Sequence, residues 1–163
     1  METQIESRAE GSKDVERYSQ FLKAGQPGIH TYTVLLGLEY FDLPNVDKAV
    51  AKGFPWKAFE RLATNLGLPA DRVADVAGIP RRTLARRKVE KRFSSDESDR
   101  LLRVARVFGH SLRLFDGNRD EAVNWLTTLQ RALGKEPAEL LSSDYGAREV
   151  ERVLGALEHG IFL

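Results

Sequence analysis

Glycine and proline residues divide the chain after residue 45 into short segments, and this division limits the fold more than any other feature of the sequence. Within most segments apolar residues recur every three or four positions, which is the period of an α-helix with one buried face. Proline suits the first turn of a helix, and glycine suits the position just after its last turn. The pattern therefore predicts a mainly α-helical protein made of short helices.

Four of the predicted helices lie between residues 45 and 93. Their start and stop residues, in chain order, are Asn45 and Gly53, Pro55 and Gly67, Pro69 and Gly78, and finally Pro80 as a start. The last two of these helices are separated by a glycine-containing turn, and the very last is strongly basic. Three short helices arranged in this way are typical of a helix-turn-helix.

The C-terminal half carries the clearest signals for helix starts. Ser94 followed by Glu97 predicts a capping box at the start of a long helix. Three further helical segments are predicted: a helix from Asn118 to Gly134, one turn at residues 137–141, and a last helix from Ser143 or Asp144 to Gly160. The buried face of the last helix is predicted to contain Val150, Val153, Leu154 and Leu157.

The N-terminal segment gives weaker signals. Residues 1–28 are polar and show little apolar periodicity, so we expect a short or frayed helix at most. Residues 29–41 mix β-branched and aromatic side chains and fit either a strand or a buried helix, of which we favour the helix. No motif assigns a function to residues 1–45.

Basic residues are concentrated in the fourth predicted helix and just after it. Residues 81–92 contain seven cations and one anion, Glu90. DNA phosphates relieve the repulsion between such cations, and arginine can also bind guanine edges in the major groove. The alternatives are a solvated helix face, or arginines that pair with acidic residues of the second half or of a partner. The predicted DNA-binding residues are Arg81, Arg82, Thr83, Arg86, Arg87, Lys88, Lys91 and Arg92.

Charge is distributed unevenly over the two halves of the chain. Residues 81–115 contain eleven basic and four acidic residues, whereas residues 116–163 contain five basic and nine acidic ones. Such asymmetry indicates that one part meets a polyanion while the other meets a different partner.

Several kinds of function are disfavoured by the sequence. The chain has no cysteine, which excludes thiolate metal sites and fits a cytoplasmic location. Its three histidines are widely separated, and no phosphate-binding loop or nucleophile elbow is present, so we expect no metal site, cofactor or catalysis. Asp96, Glu97 and Asp99 are accounted for by their position in the first turn of a helix. No apolar run is long enough for a membrane span.

Two long stretches and a series of later residues carry a family resemblance. The stretches are GIPRRTLARRK at residues 78–88 and SSDESDRLLR at residues 94–103, and the later matches include Trp125, Leu126, Gly134, Pro137, Gly146, Gly160 and Ile161. From about residue 50 to the C-terminus, this chain resembles the Xre/MbcA/ParS family of antitoxins.

The resemblance implies an antitoxin with two functional halves. Residues 46–93 would form an Xre-like helix-turn-helix half for DNA binding and dimerisation, and residues 94–163 a helical toxin-binding half. The partners would be operator DNA and a RES-domain toxin, an enzyme that consumes NAD or transfers ADP-ribose from it, with the antitoxin a homodimer in the complex. The antitoxin itself would not be an enzyme. The alternative is a stand-alone helix-turn-helix transcriptional regulator.

The C-terminus is predicted to inhibit the toxin. An apolar tripeptide follows the stop at Gly160, and from the residues alone it either folds back onto the core or enters a partner's pocket. The resemblance favours insertion into the toxin's NAD pocket by Glu158, His159, Gly160, Ile161, Phe162 and Leu163, with Trp125 and Arg131 at the toxin interface. The chain departs from the family pattern at Leu129, Gln130 and Lys135, where a helix could replace the family's loop.

Overall fold

The computed structural model of the chain describes residues 2–25 and 28–161, with side chains from residue 13 onward. These residues form eight α-helices and two short 3₁₀ helices, and they contain no β-strand. The α-helices are α1 (Glu2–Ala24), α2 (Leu43–Lys52), α3 (Trp56–Leu66), α4 (Ala70–Val76), α5 (Arg81–Glu90), α6 (Ser95–Leu114), α7 (Arg119–Leu126) and α8 (Asp144–Glu158). The 3₁₀ helices are Thr31–Leu36 and Pro137–Leu140. The predicted mainly α-helical fold is confirmed.

Helix α6 is the centre of the fold. It packs against α1, α2, α3, α7, α8 and the first 3₁₀ helix. Its start is the predicted capping box: the Glu97 amide donates to the Ser94 hydroxyl at 3.2 Å, and the Ser94 amide donates to the Glu97 carboxylate at 2.8 Å. The fully buried apolar side chains of α6 are Leu101, Val104, Ala105, Val107, Phe108 and Leu112. Because these side chains reach neighbours from both halves of the chain, one hydrophobic core serves the whole molecule.

The N-terminal segment is more ordered than its sequence predicts. Instead of a short or frayed helix, the chain forms the 23-residue helix α1, whose Val15 and Tyr18 are buried. Asp14 is also buried and accepts hydrogen bonds from Arg61 at 2.5 and 2.9 Å and from Asn65 at 2.9 Å. Those partners lie in α3, so the local sequence could not reveal what stabilises α1.

Residues 29–41 confirm the preference for a helix over a strand, although the helix is of the 3₁₀ type. All six residues of the first 3₁₀ helix are buried. It lies against α1, α3 and α6. The β-branched and aromatic side chains that also fitted a strand are therefore explained by the burial of this 3₁₀ helix.

Two predicted helix boundaries are wrong. Helix α2 is capped by Asp42, whose carboxylate accepts from the Asn45 amide at 3.0 Å, so Asn45 is inside the helix and is not its cap. Helix α7 ends at Leu126 and does not continue to Gly134. A turn follows, closed by the Gln130 amide donating to the Lys135 carbonyl at 3.0 Å, so the segment is not helical. The starts predicted near Pro55, Pro69, Pro80, Asn118 and Ser143 are confirmed.

Candidate functional sites

Helix α5 lies on the surface of the molecule and contacts the rest of the protein through one face. Its only buried residue is Leu84. The turn from α4 to α5 is fixed by the Ile79 amide, which donates to the Ala74 carbonyl at 2.8 Å, and by burial of the Ile79 side chain. Consequently α4 and α5 form a rigid helix-turn-helix unit with most of α5 facing outward.

Two of the α5 arginines form ion pairs with neighbouring helices, although the Arg81 side chain remains 65% exposed. Arg81 pairs with Asp71 at 3.1 Å and with Asp75 at 3.6 Å, both in α4. Arg87 is only 17% exposed and donates to the Glu97 carboxylate of α6 at 2.7 and 3.0 Å and to Glu90 at 2.6 Å. These pairs fix α5 against its two neighbours in the chain.

The Arg87–Glu97 pair also changes the acid strength of Glu97. Burial raises the pKa of the Glu97 carboxyl, but hydrogen bonds from Arg87 and from the Ser94 amide outweigh burial, so the pKa lies below its ordinary value. The interpretation that helix capping fully explains Glu97 is therefore wrong, because the same carboxylate also pairs with Arg87. Its partner was missed because the two residues lie in different helices.

The outward face of α5 combines arginine with apolar side chains. Arg82, Ala85, Arg86 and Val89 lie at helical spacing and are all exposed, Val89 to 81%. Among the described residues Arg82 has no ion pair or hydrogen bond, and Arg86 has only Glu90 at 4.0 Å. We call these four residues the α5 face. Of the other predicted DNA-binding residues, Thr83 is half-buried and Lys88, Lys91 and Arg92 are exposed.

The chain just after α5 pairs with the short connection between α2 and α3. The Trp56 amide donates to the Lys91 carbonyl and the Phe93 amide donates to the Phe54 carbonyl, both at 2.9 Å. Arg92 donates to the Gly53 carbonyl at 2.5 Å. We call this pairing the α2–α5 junction. It brings together segments that are about 35 to 40 residues apart in the chain. The distribution of charge along the sequence could not predict this proximity.

Helix α8 is attached to α6 by its apolar face and by ion pairs along its length. Val150, Val153 and Leu154 are buried as predicted, whereas Leu157 is only partly buried. Arg106 pairs with Glu151 at 2.6 Å. At the end of α8, Glu158 accepts hydrogen bonds from Arg113 at 2.6 and 3.0 Å, and the His110 ring lies 3.2 Å away.

Glu158 is therefore an anchor of α8. Burial raises the pKa of its carboxyl, but the hydrogen bond from Arg113 and the charge of His110 outweigh burial and hold the pKa below its ordinary value. The side chain is 20% exposed and faces α6. Its predicted place in the inhibitory segment thus needs revision, because its carboxylate is already bound within the chain.

Beyond α8 the chain turns and leaves the core. Gly160 has φ 69°, and the Ile161 amide donates to the Ala156 carbonyl at 2.9 Å, which closes the helix. The Ile161 side chain is 54% exposed. Phe162 and Leu163 lie outside the described residues. His159 is exposed, as is Arg131 on the turn after α7, and Trp125 is half-buried.

Comparison with known families assigns both halves. Residues 46–106 match the model of the antitoxin Xre-like helix-turn-helix domain, and residues 110–160 match the antitoxin Xre/MbcA/ParS C-terminal toxin-binding domain. The chain belongs to the Xre/MbcA/ParS family of antitoxins. It is thus an antitoxin of a toxin–antitoxin system, with a toxin as its partner, and its predicted family and fold are confirmed.

Two curated relatives agree with this assignment. Antitoxin Xre of Yersinia enterocolitica is 34% identical over 116 residues, which cover 70% of this chain and 78% of the relative. Antitoxin Xre of Photorhabdus laumondii is 32% identical over 120 residues, covering 72% of this chain and 81% of the relative. Both relatives are named as antitoxins and not as enzymes.

The boundary between the two family matches of this antitoxin lies within α6. The helix-turn-helix match begins within α2 at residue 46, includes α3 to α5 and continues to residue 106. The toxin-binding match begins at residue 110, four residues before α6 ends. Among residues 2–25 and 28–161, none of the helices combines the length and the hydropathy of a membrane span. The same residues contain no group of three or more metal-ligating side chains.

Proposed function

We propose that this antitoxin neutralises a RES-domain toxin by placing its C-terminal segment in the toxin's NAD-binding active site. The family resemblance supports the choice of toxin, an enzyme that degrades NAD or transfers ADP-ribose. The observation that carries the mechanism is the exposed Ile161 side chain directly after an anchored helix. An apolar segment that starts on a fixed support loses less freedom on binding than one that starts on a mobile support, so more of its burial energy contributes to affinity.

The inserted segment begins at His159 in this proposal. Glu158 holds the end of α8 on α6, and residues 159–163 extend from it toward the toxin. Burial of each large apolar side chain in the toxin would contribute about 1.5–3 kcal/mol before ordering costs. Trp125 and Arg131 remain proposed contacts on the broader toxin-binding surface.

We further propose that α5 represses the antitoxin's own operon. The α5 face would enter the major groove, where Arg82 and Arg86 can bind the O6 and N7 atoms of guanine, and Ala85 and Val89 can contact thymine methyl groups. The support is that, within the described residues, two unpaired or weakly paired arginines flank exposed apolar side chains. A homodimer would present two such helices to the two halves of an operator.

Deletion of residues 161–163 tests the inhibitory role. The toxin is co-expressed in cells with either the full antitoxin or the truncated one, and the growth and NAD content of the cells are measured. We expect the full antitoxin to restore growth and the truncated one to fail while still co-purifying with the toxin. Full protection by the truncated antitoxin would disprove insertion of the tail. Absence of any binding to the RES-domain toxin would disprove the proposed choice of toxin.

A further inference from the structure

Three lysines flank the α2–α5 junction although they come from three separate parts of the chain. Lys52 is the last residue of α2, Lys57 lies in the first turn of α3, and Lys91 follows α5 directly. All three are exposed. Each lies at, or next to, a residue of the backbone pairing, since Gly53, Trp56 and Lys91 all take part in it. We call Lys52, Lys57 and Lys91 the junction lysines.

The junction that carries these lysines is rigid. Gly53 has φ 87°, and a Cβ atom there would lie 2.1 Å from the Phe93 carbonyl oxygen, so the close approach of the two segments requires glycine. The Trp56 and Phe93 rings stack with centroids 5.6 Å apart. Their stacking fixes the backbone on both sides, and so the three lysine attachment points are held in one arrangement.

The local structure is unfavourable to two of the junction lysines. Lys91 has φ 63°, a left-handed conformation in which glycine or asparagine is at an advantage over lysine. Lys57 lies in the first turn of α3, where the helix dipole repels positive charge and where no acidic residue compensates it. Among the described residues no hydrogen bond or ion pair of the three lysine side chains is found. Departures from local preference that are concentrated in one place indicate a functional constraint.

We propose that the junction lysines bind DNA phosphates beside the groove that α5 enters. This inference rests on the proposed DNA binding by α5 and extends it from Lys91, one of the residues predicted to bind DNA, to Lys52 of α2 and Lys57 of α3. The junction lies at the C-terminal end of α5, so a duplex that contacts the α5 face passes next to it. Phosphate binding removes the repulsion among the lysines and releases counterions from the duplex. Such contacts set the position of the protein on DNA and contribute no sequence preference.

The first test measures the salt dependence of binding to a random-sequence duplex of about 30 base pairs, between about 50 and 200 mM salt. The full-length K52Q/K57Q variant is compared with the wild type. We expect the slope of log affinity against log salt to fall in magnitude by about two, because each phosphate contact contributes about 0.9. The control K23Q/K135Q removes the same charge from exposed sites outside the junction and should keep the wild-type slope.

The second test uses K91G, in which the charge is lost but the backbone conformation is suited to the new residue. We expect an unchanged or higher melting temperature together with a slope about one unit smaller. Wild-type slopes for both K52Q/K57Q and K91G would overturn the proposal.

A parallel R82A/R86A variant separates the two levels of inference. If that variant loses affinity while the junction variants do not, α5 binds DNA and the junction does not. If R82A/R86A also binds DNA as the wild type does, both the proposed DNA-binding function and this inference fail.

Discussion

The Glu97 carboxylate accepts hydrogen bonds from the Ser94 amide and from the Arg87 guanidinium, so one side chain both starts α6 and holds α5 in place. Both partners prefer the ionised carboxylate. The residue is 6% exposed, so these bonds are only weakly exposed to water and to salt screening. This acidic residue therefore contributes to the orientation of α5, together with buried Leu84 and the pairs of Arg81 with α4.

We expect E97Q to lower the free energy of unfolding by roughly 1.5–3 kcal/mol, the usual range for a hydrogen bond to a charged group. Glutamine keeps the size and part of the capping role but loses the charge that Arg87 requires. Thermal or urea unfolding measures the change. The matched variant D96N removes an exposed carboxylate from the same turn and should cost less. Equal losses in the two variants would show that the Arg87 pair contributes nothing.

The same pair predicts a dependence of stability on pH. Because the pKa of Glu97 is lower in the folded protein than its ordinary value, its contribution is complete above that ordinary value and is lost as the pH falls through the lowered pKa. The difference in unfolding free energy between the wild type and E97Q should therefore narrow below about pH 4. A difference that stays constant down to pH 3 or so would contradict the assignment.

At the scale of helices and turns, the sequence predicts the elements whose ends carry their own signals. Pro55, Pro69 and Pro80 precede the starts of α3, α4 and α5, and the Ser94–Glu97 box begins α6. The length of helix α1 was underestimated because the helix depends on tertiary contacts such as the Asp14–Arg61 pair, which joins residues far apart in sequence. The α2–α5 junction was missed for the same reason.

In the candidate sites, too, the sequence predicts features with a local signal and misses those that depend on tertiary contacts. The basic character of α5 is visible in the sequence, but its partition into paired and free arginines depends on acidic residues in α4 and α6. Likewise the apolar C-terminus is visible, whereas the anchoring of Glu158 by Arg113 is a contact between helices. Local sequence thus predicted which residue types matter, and packing decided which of them are available to a partner.

The anchoring of α8 gives a prediction of its own. Reversing either charge in the Glu158–Arg113 pair, by E158R or R113E, should loosen the end of α8 and weaken toxin inhibition. Because the pair is partly exposed, the melting temperature should fall by only a few degrees. The double variant E158R/R113E restores opposite charges and should recover inhibition. If the double variant inhibits no better than the single ones, the pair does not position the tail.

At the scale of the whole molecule, the shared helix α6 predicts that the two halves unfold together. The buried face of α6 contacts α2 and α3 in one half and α7 and α8 in the other, so separating the halves would expose core surface. The chain has two tryptophans, Trp56 in α3 and Trp125 in α7, which provide one fluorescent probe in each half.

W125F and W56F leave a single tryptophan in the first and second half, respectively. We expect the two variants, each corrected for its own change in stability by circular dichroism, to show fluorescence transitions that coincide with the loss of helix. A fluorescence midpoint that differs from the circular dichroism midpoint in the same variant would show independent unfolding. The F108A variant, which removes a fully buried α6 side chain, should destabilise both halves by about 3–5 kcal/mol.

The position of α6 also restricts how such antitoxins can be recombined. An exchange of DNA-binding and toxin-binding specificities between relatives would need a crossover within or beside this helix, because the two family matches meet at residues 106–110. A helix inherited from one parent would then have to fit the neighbouring helices of the other along half of its surface. Functional hybrids should therefore arise mainly between relatives with similar α6 residues. A new pairing of specificities should be designed by exchanging the residues on each side of α6 separately, and not by joining two chains at a single crossover point.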